Sequence, residues 1–169
     1  MTKREELLAF SEERGYDVLE PPPDGTIDYA TIISPKGTRC IFARQQGKDE
    51  REISRGLAHE IGHCEENAFY TELSAPAARY RAEALADRWS YRRMIPLSGL
   101  LEAISERETE LWQLAERFNA PEEMIREALE YYAAAFGPIL RLKKRKSPVP
   151  RQKDGAALAR NRKENPMEN

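Results

Sequence analysis

The sequence predicts an α+β fold: a small antiparallel sheet packed on a helix that carries H-E-x-x-H, followed by a C-terminal helical region. Three observations predict it. His59-Glu60-Ile61-Gly62-His63 lies inside a stretch of helical periodicity. Two runs rich in β-branched and aromatic residues, Tyr29 to Ser34 and Thr38 to Ala43, come just before it. After it, apolar residues recur at three- and four-residue spacing between Pro and capping signals.

In chain order, Thr2-x-x-Glu5 is a capping-box pattern that opens a first helix, with Leu7, Leu8 and Phe10 as its apolar face and Gly15 as its stop. Tyr16 to Leu19 alternates and reads as a strand. Pro21-Pro22-Pro23-Asp24-Gly25 must be loop or polyproline. Ser34-Pro35-Lys36-Gly37 places Pro and Gly where a β-turn takes them, so the two β-branched runs form a hairpin. Asp49-x-x-Glu52 reads as the capping box of the next helix, and Ile53, Leu57, Ala58 and Ile61 form its apolar stripe. Residues 67–76 connect to a helix from Ala77 to about Arg93 with Leu85, Ala86, Trp89 and Met94 facing inward, ended by Pro96. Ser98 caps a short helix through Ile104, and Ser105-x-x-Glu108 opens a further one with Leu111, Trp112, Leu114, Ala115 and Phe118 as its apolar residues. Pro121 starts the last helix, buried along Met124, Ile125, Ala128, Leu129 and Tyr132, which Gly137-Pro138 stops.

The chemistry centres on the H-E-x-x-H stretch. Two imidazoles four residues apart on a helix share one face, so His59 and His63 can hold one side of a zinc ion. Glu60 projects beside them, placed to take a proton from a water at the metal as general base. This is the pattern of zinc-dependent peptide hydrolysis. The chain has only 2 His, so the third ligand must be a carboxylate. Glu65 and Glu66 follow too closely on the same helix to turn back. Glu83, on the next helix, is the candidate third ligand. Asp87, one turn on, can accept the outer N–H of a ligating His and fix its tautomer. With no third His, Tyr70 or Tyr80 would have to donate to the oxyanion. Cys64 abuts His63 but points about 100° away along the helix and is not taken as a ligand.

His59-Glu60-Ile61-Gly62-His63-Cys64, Phe69-Tyr70, Glu83-x-x-Ala86-Asp87-Arg88-Trp89 and Met94-Ile95-Pro96 together resemble the ImmA/IrrE family of metallopeptidases, most closely its short phage- and mobile-element-encoded members. Glu110 to Phe118 and Met124 to Ala128 look like that family's C-terminal helices, so the likeness spans roughly residues 25 to 135. The resemblance implies a minimal zincin-like fold of the Glu-ligated, gluzincin-like kind. It also implies a protein substrate: a transcriptional repressor or another regulatory protein, often encoded nearby. By the same resemblance, the strand around Cys40-Ile41-Phe42 would edge the cleft and pair with extended substrate backbone. Ser90-Tyr91 departs from the small residues usual after the aromatic, which touches helix packing and not the ligands.

Composition limits the alternatives. The chain has 169 residues, enough for one domain, and 33% of them are charged. No apolar run approaches the ~20 residues that span a membrane. The acidic, amphipathic N-terminus does not read as a signal peptide. Cys40 and Cys64 read as reduced thiols of a cytoplasmic protein. Charge is uneven: residues 141–169 hold 10 Lys or Arg against 3 Asp or Glu, while residues 1–140 hold 17 against 26. The expected division is therefore a peptidase domain over 1–140, with its metal core at about 25–97 and C-terminal helices at 98–137, and a basic, disordered tail over 141–169.

Two other readings stand beside hydrolysis. The domain could be a metal-stabilised module that binds a repressor without cutting it. Alternatively, the helix pair at 111–129 could read DNA as a helix-turn-helix, with the tail adding nucleic-acid contacts. Glu122, Glu123, Glu127 and Glu130 on the second helix, against Arg126 alone, oppose phosphate contact.

Overall fold

The computed structural model describes residues 1–23 and 25–137. The basic tail and the domain end expected near residue 140 lie outside the described residues. Six helices and three strands follow in the order α1 (Lys3–Glu13), β1 (Asp17–Leu19), β2 (Tyr29–Ile33), β3 (Arg39–Ala43), α2 (Glu50–Glu65), α3 (Pro76–Met94), α4 (Leu97–Ser105), α5 (Leu111–Phe118) and α6 (Glu122–Phe136). The α+β class and the nearly all-helical second half are as the sequence predicts.

The sheet differs in one respect: it is mixed. Its order is β1-β3-β2, with β2 antiparallel to β3 and β1 parallel to it. The hairpin accounts for the antiparallel half, with Thr31 opposite Ile41 and Tyr29 opposite Ala43. β1 leaves α1, whose Leu7 is fully buried in the core shared with α2, and lies on the other side of β3. The chain must then cross to β2, and the prolines that start this crossing have no N–H to donate to a sheet. Arg44 pins the crossing: its guanidinium donates to the carbonyls of Pro22, Gly25 and Ile27 and to the Asp28 carboxylate. β3 is therefore paired on both sides and cannot be the cleft edge that the resemblance implied. The edge strands are β1 and β2, and β2 is the one beside the H-E-x-x-H stretch, where the Thr31 hydroxyl reaches Glu60.

Capping also departs in three places. Ser98 does not cap α4: the helix starts at Leu97, with Pro96 at its N-cap. α2 begins after Asp49, but the Asp49 side chain makes no capping bond. Ser105 does not open α5. It is the last residue of α4, its hydroxyl donates back to the Glu102 carbonyl, and Glu110 with Gln113 forms the capping box of α5 instead. At Thr2 the expected reciprocal box is present in full.

The core lies where the sheet's inner face, α1, α2 and the C-terminal helices meet, around Ile41, Leu57, Ile61, Met94, Leu114 and Ile125. The buried stripe of α3 is made of small residues, Ala82, Ala86 and Ser90, before Met94. Leu85 and Trp89, expected inside, are only partly buried. Small residues let α3 come close to α2, and the approach is tightest at Gly62. A Cβ there would lie 2.6 Å from the Ala86 carbonyl oxygen and 2.9 Å from its Cα. Both are backbone atoms and cannot turn aside. Among the described residues no helix is long and apolar enough to cross a membrane.

Gly62→Ala tests the crossing. In an open helix the change would stabilise by about 1 kcal/mol through propensity. Here overpacking reverses the sign, and a net loss of about 2 kcal/mol is expected in urea unfolding. An unchanged or higher midpoint would mean that the two helices part without cost.

Candidate metal centre

The apolar stripe of α2 turns Ile53, Leu57, Ala58, Ile61 and Cys64 into the core and leaves His59, Glu60 and His63 along its border. Glu60 is 7% exposed and His63 6%. From α3, just before the Gly62–Ala86 crossing, Glu83 reaches both rings: its carboxylate oxygens lie 3.1 Å from His59 Nε2 and 3.4 Å from His63 Nε2. The two Nε2 atoms are 3.1 Å apart. The Glu83 carboxylate thus lies against the imidazoles and not against Arg79 or Arg88. Glu65 and Glu66 are occupied elsewhere, Glu65 by Arg14 and the Tyr16 hydroxyl and Glu66 by Arg92.

The outer ring nitrogens decide what the inner ones can do. His63 Nδ1 lies 2.7 Å from the Ala68 carbonyl oxygen, which can only accept, so Nδ1 carries the proton. His59 Nδ1 lies 2.8 Å from Asp87 Oδ1 and is assigned in the same way. In the neutral rings both Nε2 atoms then present lone pairs to each other and to a carboxylate. Three electron-rich groups converging within 4.8 Å repel unless a cation sits among them. The donor set fits a divalent metal held by His59, His63 and Glu83, with the second nitrogens oriented as ligating histidines usually are.

Asp87 acts on His59 electrostatically as well. Burial opposes charging that ring, but the hydrogen bond and charge of Asp87, with Glu60 and Glu83 behind it, outweigh burial and leave its pKa above the usual imidazole value. Burial raises Glu60 above the ordinary carboxylate range. A hydrogen bond from Thr31 and the two imidazoles pull it back only in part. The Thr31 hydroxyl donates to Glu60 Oε2 at 2.7 Å.

These groups line a cavity of 220 Å3 with Tyr29, Ala30 and Thr31 of the open strand on one side and Ala68, Phe69 and Tyr70 on the other. Of the two tyrosines named from the sequence, the structure brings Tyr70 to the cleft. Its ring stands edge-on to His63, and the nearby Glu83 carboxylate, aided by burial, pushes its phenol pKa up to about 12. Tyr80, although one turn before Glu83, is 78% exposed and is not among the cleft residues. Cys64 is fully buried in the core, outside the cleft, and burial pushes its thiol up to about 12, away from the thiolate a metal would need.

Two contributors escaped the sequence reading. The Ala68 carbonyl is a backbone atom, brought round by Asn67 in the left-handed region at φ 49°, and no side chain announces it. Thr31 could have been found: hairpin register puts it opposite Ile41 on the inner face, where a polar residue needs a partner.

A small α+β domain whose adjacent helices converge two imidazoles, a carboxylate and a buried glutamate under an open strand has the makings of a metallopeptidase. The chain belongs to the Peptidase_M78 family, described as the IrrE N-terminal-like domain, whose family model matches residues 11–130. No curated protein and no solved structure matches it.

The thiols give a check on this geometry. With a chromogenic thiol reagent the native protein should show one fast-reacting cysteine, the partly exposed Cys40, and release Cys64 only on denaturation. Prompt reaction of both in the native state would contradict the burial of the helix face behind His63.

Proposed function

We propose that the protein is a zinc-dependent endopeptidase that hydrolyses a peptide bond in a regulatory protein, with a transcriptional repressor as its substrate class and residues 1–140 as the peptidase unit. The observation that carries this is the pair of Nε2 atoms 3.1 Å apart, facing Glu83, with the Glu60 carboxylate buried beside them. Zinc held by His59, His63 and Glu83 would supply Lewis acidity, lowering the pKa of water and polarising the scissile carbonyl.

The chain's own groups do the rest. The open edge of β2 can pair with an extended substrate backbone and lay it along the cleft, with Ala30 and Thr31 at its wall. Glu60, its pKa lifted by burial, is suited to take a proton from the attacking water and pass it to the leaving amine nitrogen. Thr31 holds that carboxylate in place. Asp87 holds His59 in the tautomer that turns Nε2 inward. The Tyr70 hydroxyl, kept protonated by its high pKa, is the group placed to donate to the developing oxyanion. Reduced thiols and a repressor substrate fit a cytoplasmic setting.

Glu60 also bears on the non-cutting alternative. A module that only bound a repressor would have no use for a 7% exposed carboxylate held next to the metal ligands. Against DNA reading by α5 and α6, two of the acidic side chains of α6 already engage α2: Glu123 lies 2.9 Å and Glu127 3.1 Å from Arg55. This pair braces the metal helix, and its charges disfavour phosphate.

Glu60→Gln should keep zinc and lose about 10²–10⁴-fold in cleavage of a candidate repressor, read by mass spectrometry. Metal loss in that variant would remove its role as base. Glu83→Ala should weaken zinc strongly in a chelator competition, and Asp87→Ala by about 10–100-fold. Wild-type zinc affinity in the Glu83 variant would exclude it as a ligand. Thr31→Val removes a bond that lowers the Glu60 pKa. Because Glu60 must be deprotonated to act, the acid limb of the pH–rate profile should move to higher pH. An unmoved limb would deny Thr31 that role.

A further inference from the structure

The cleft does not end at the metal ligands. His59 and Glu60 also line a second cavity of 440 Å3 that opens between α2 and the start of α6. That volume is within the range of pockets that enclose whole ligand groups, about 300–1,000 Å3. The two cavities share the residues proposed to do the chemistry, and Tyr29 borders both. Substrate lying over Glu60 therefore has a place for a side chain on the α6 side.

Charge says which side chain. The far wall carries Glu123 and Glu127, and the α2 wall Glu52. The two cations present are already committed. Arg55 is bound by Glu123 and by both oxygens of Glu127. The Lys48 ammonium is turned to Asp28 at 2.9 Å and lies over the Tyr29 ring. Among the described residues Glu52 has no ion pair, and Glu123 meets Arg55 through one oxygen only. The cavity thus presents a surplus of negative charge next to the reaction centre, on a body that is itself acidic.

The geometry points to this cavity as a specificity subsite for a lysine or arginine side chain of the protein substrate, with Glu123 and Glu52 as the residues that select it. The subsite rests on the peptidase reading above and narrows its substrate class to regulatory proteins with a basic residue beside the cleaved bond. One residue advances the chain by about 3.3–3.6 Å, so the shared wall places that basic residue within about two positions of the bond. Glu127 is held by Arg55 and the Tyr91 hydroxyl and serves mainly to fix the α6 wall.

The experiment uses the zinc-loaded full chain and a positional peptide library. At one position near the scissile bond, Lys or Arg should exceed Gln by about fivefold in kcat/KM, and Glu should be worse than Gln, with the preference shrinking at high salt. Glu123→Gln and Glu52→Gln should each lower the ratio of kcat/KM for Lys or Arg over Gln at that position. Glu123→Lys should invert it in favour of Glu, a change that loss of fold does not produce. Binding of the same peptides to the Glu60→Gln variant, by fluorescence anisotropy, separates the two claims. Selective binding without any cleavage by the wild type would sink hydrolysis and keep the subsite. Cleavage or binding indifferent to charge, or a preference unchanged in Glu123→Lys, would overturn the subsite and leave hydrolysis standing.

Discussion

Everything at the centre of this molecule depends on how near α3 can come to α2. Gly62 has no side chain, Ala86 nearly none, and the backbone of one helix rests where the other's Cβ would be. Close packing of this kind leaves no slack, because a well-packed interior resists even a methyl group. The contact sits one residue before His63 and three after Glu83, so it sets the reach of a short carboxylate to two rings on another helix. A Leu or Val in place of either small residue would force the helices apart and draw the Glu83 carboxylate away from the two rings.

That proximity creates an electrostatic problem and the means of solving it. Asp87 and the Ala68 carbonyl take the outer protons of the imidazoles and so aim two lone pairs at each other. Glu83 adds negative charge, and Glu60 waits beside it in a site that disfavours its ionised form. The polypeptide has gathered groups whose mutual repulsion a bound cation, or a proton on His59, relieves. A metal bound as proposed would find its ligand set already gathered, with little rearrangement to be made on binding. Thr31 extends the logic to the sheet: the strand proposed to carry substrate is also the strand that holds the proposed base, Glu60.

How much of this was legible in the residues follows from where the information resides. Helices with long apolar stripes announce themselves, and α1, α2 and α6 begin and end close to where capping and proline signals put them. H-E-x-x-H and the spacing of Glu83 and Asp87 are local patterns of side chains, so the ligand candidates could be named in advance and the structure brings them together. Three things were not legible. Strand order was hidden because β1 and β2 are short and could each pair with either edge of β3. The choice is made by α1 packing on α2 and by Arg44 tying down the crossing. Ser105 mimicked a cap because the same residue types close helices through local bonds as well as open them. The Ala68 carbonyl has no identity in a sequence at all.

The bare edge of β2 has a cost of its own. Tyr29 to Ile33 contains neither lysine nor proline, the usual guards of an exposed strand, and Ile32 and Ile33 are both about half exposed. An edge strand without such guards can pair with a sister molecule as well as with the substrate proposed above. Concentrated preparations should therefore tend toward edge-to-edge self-association, which would close the groove beside β2.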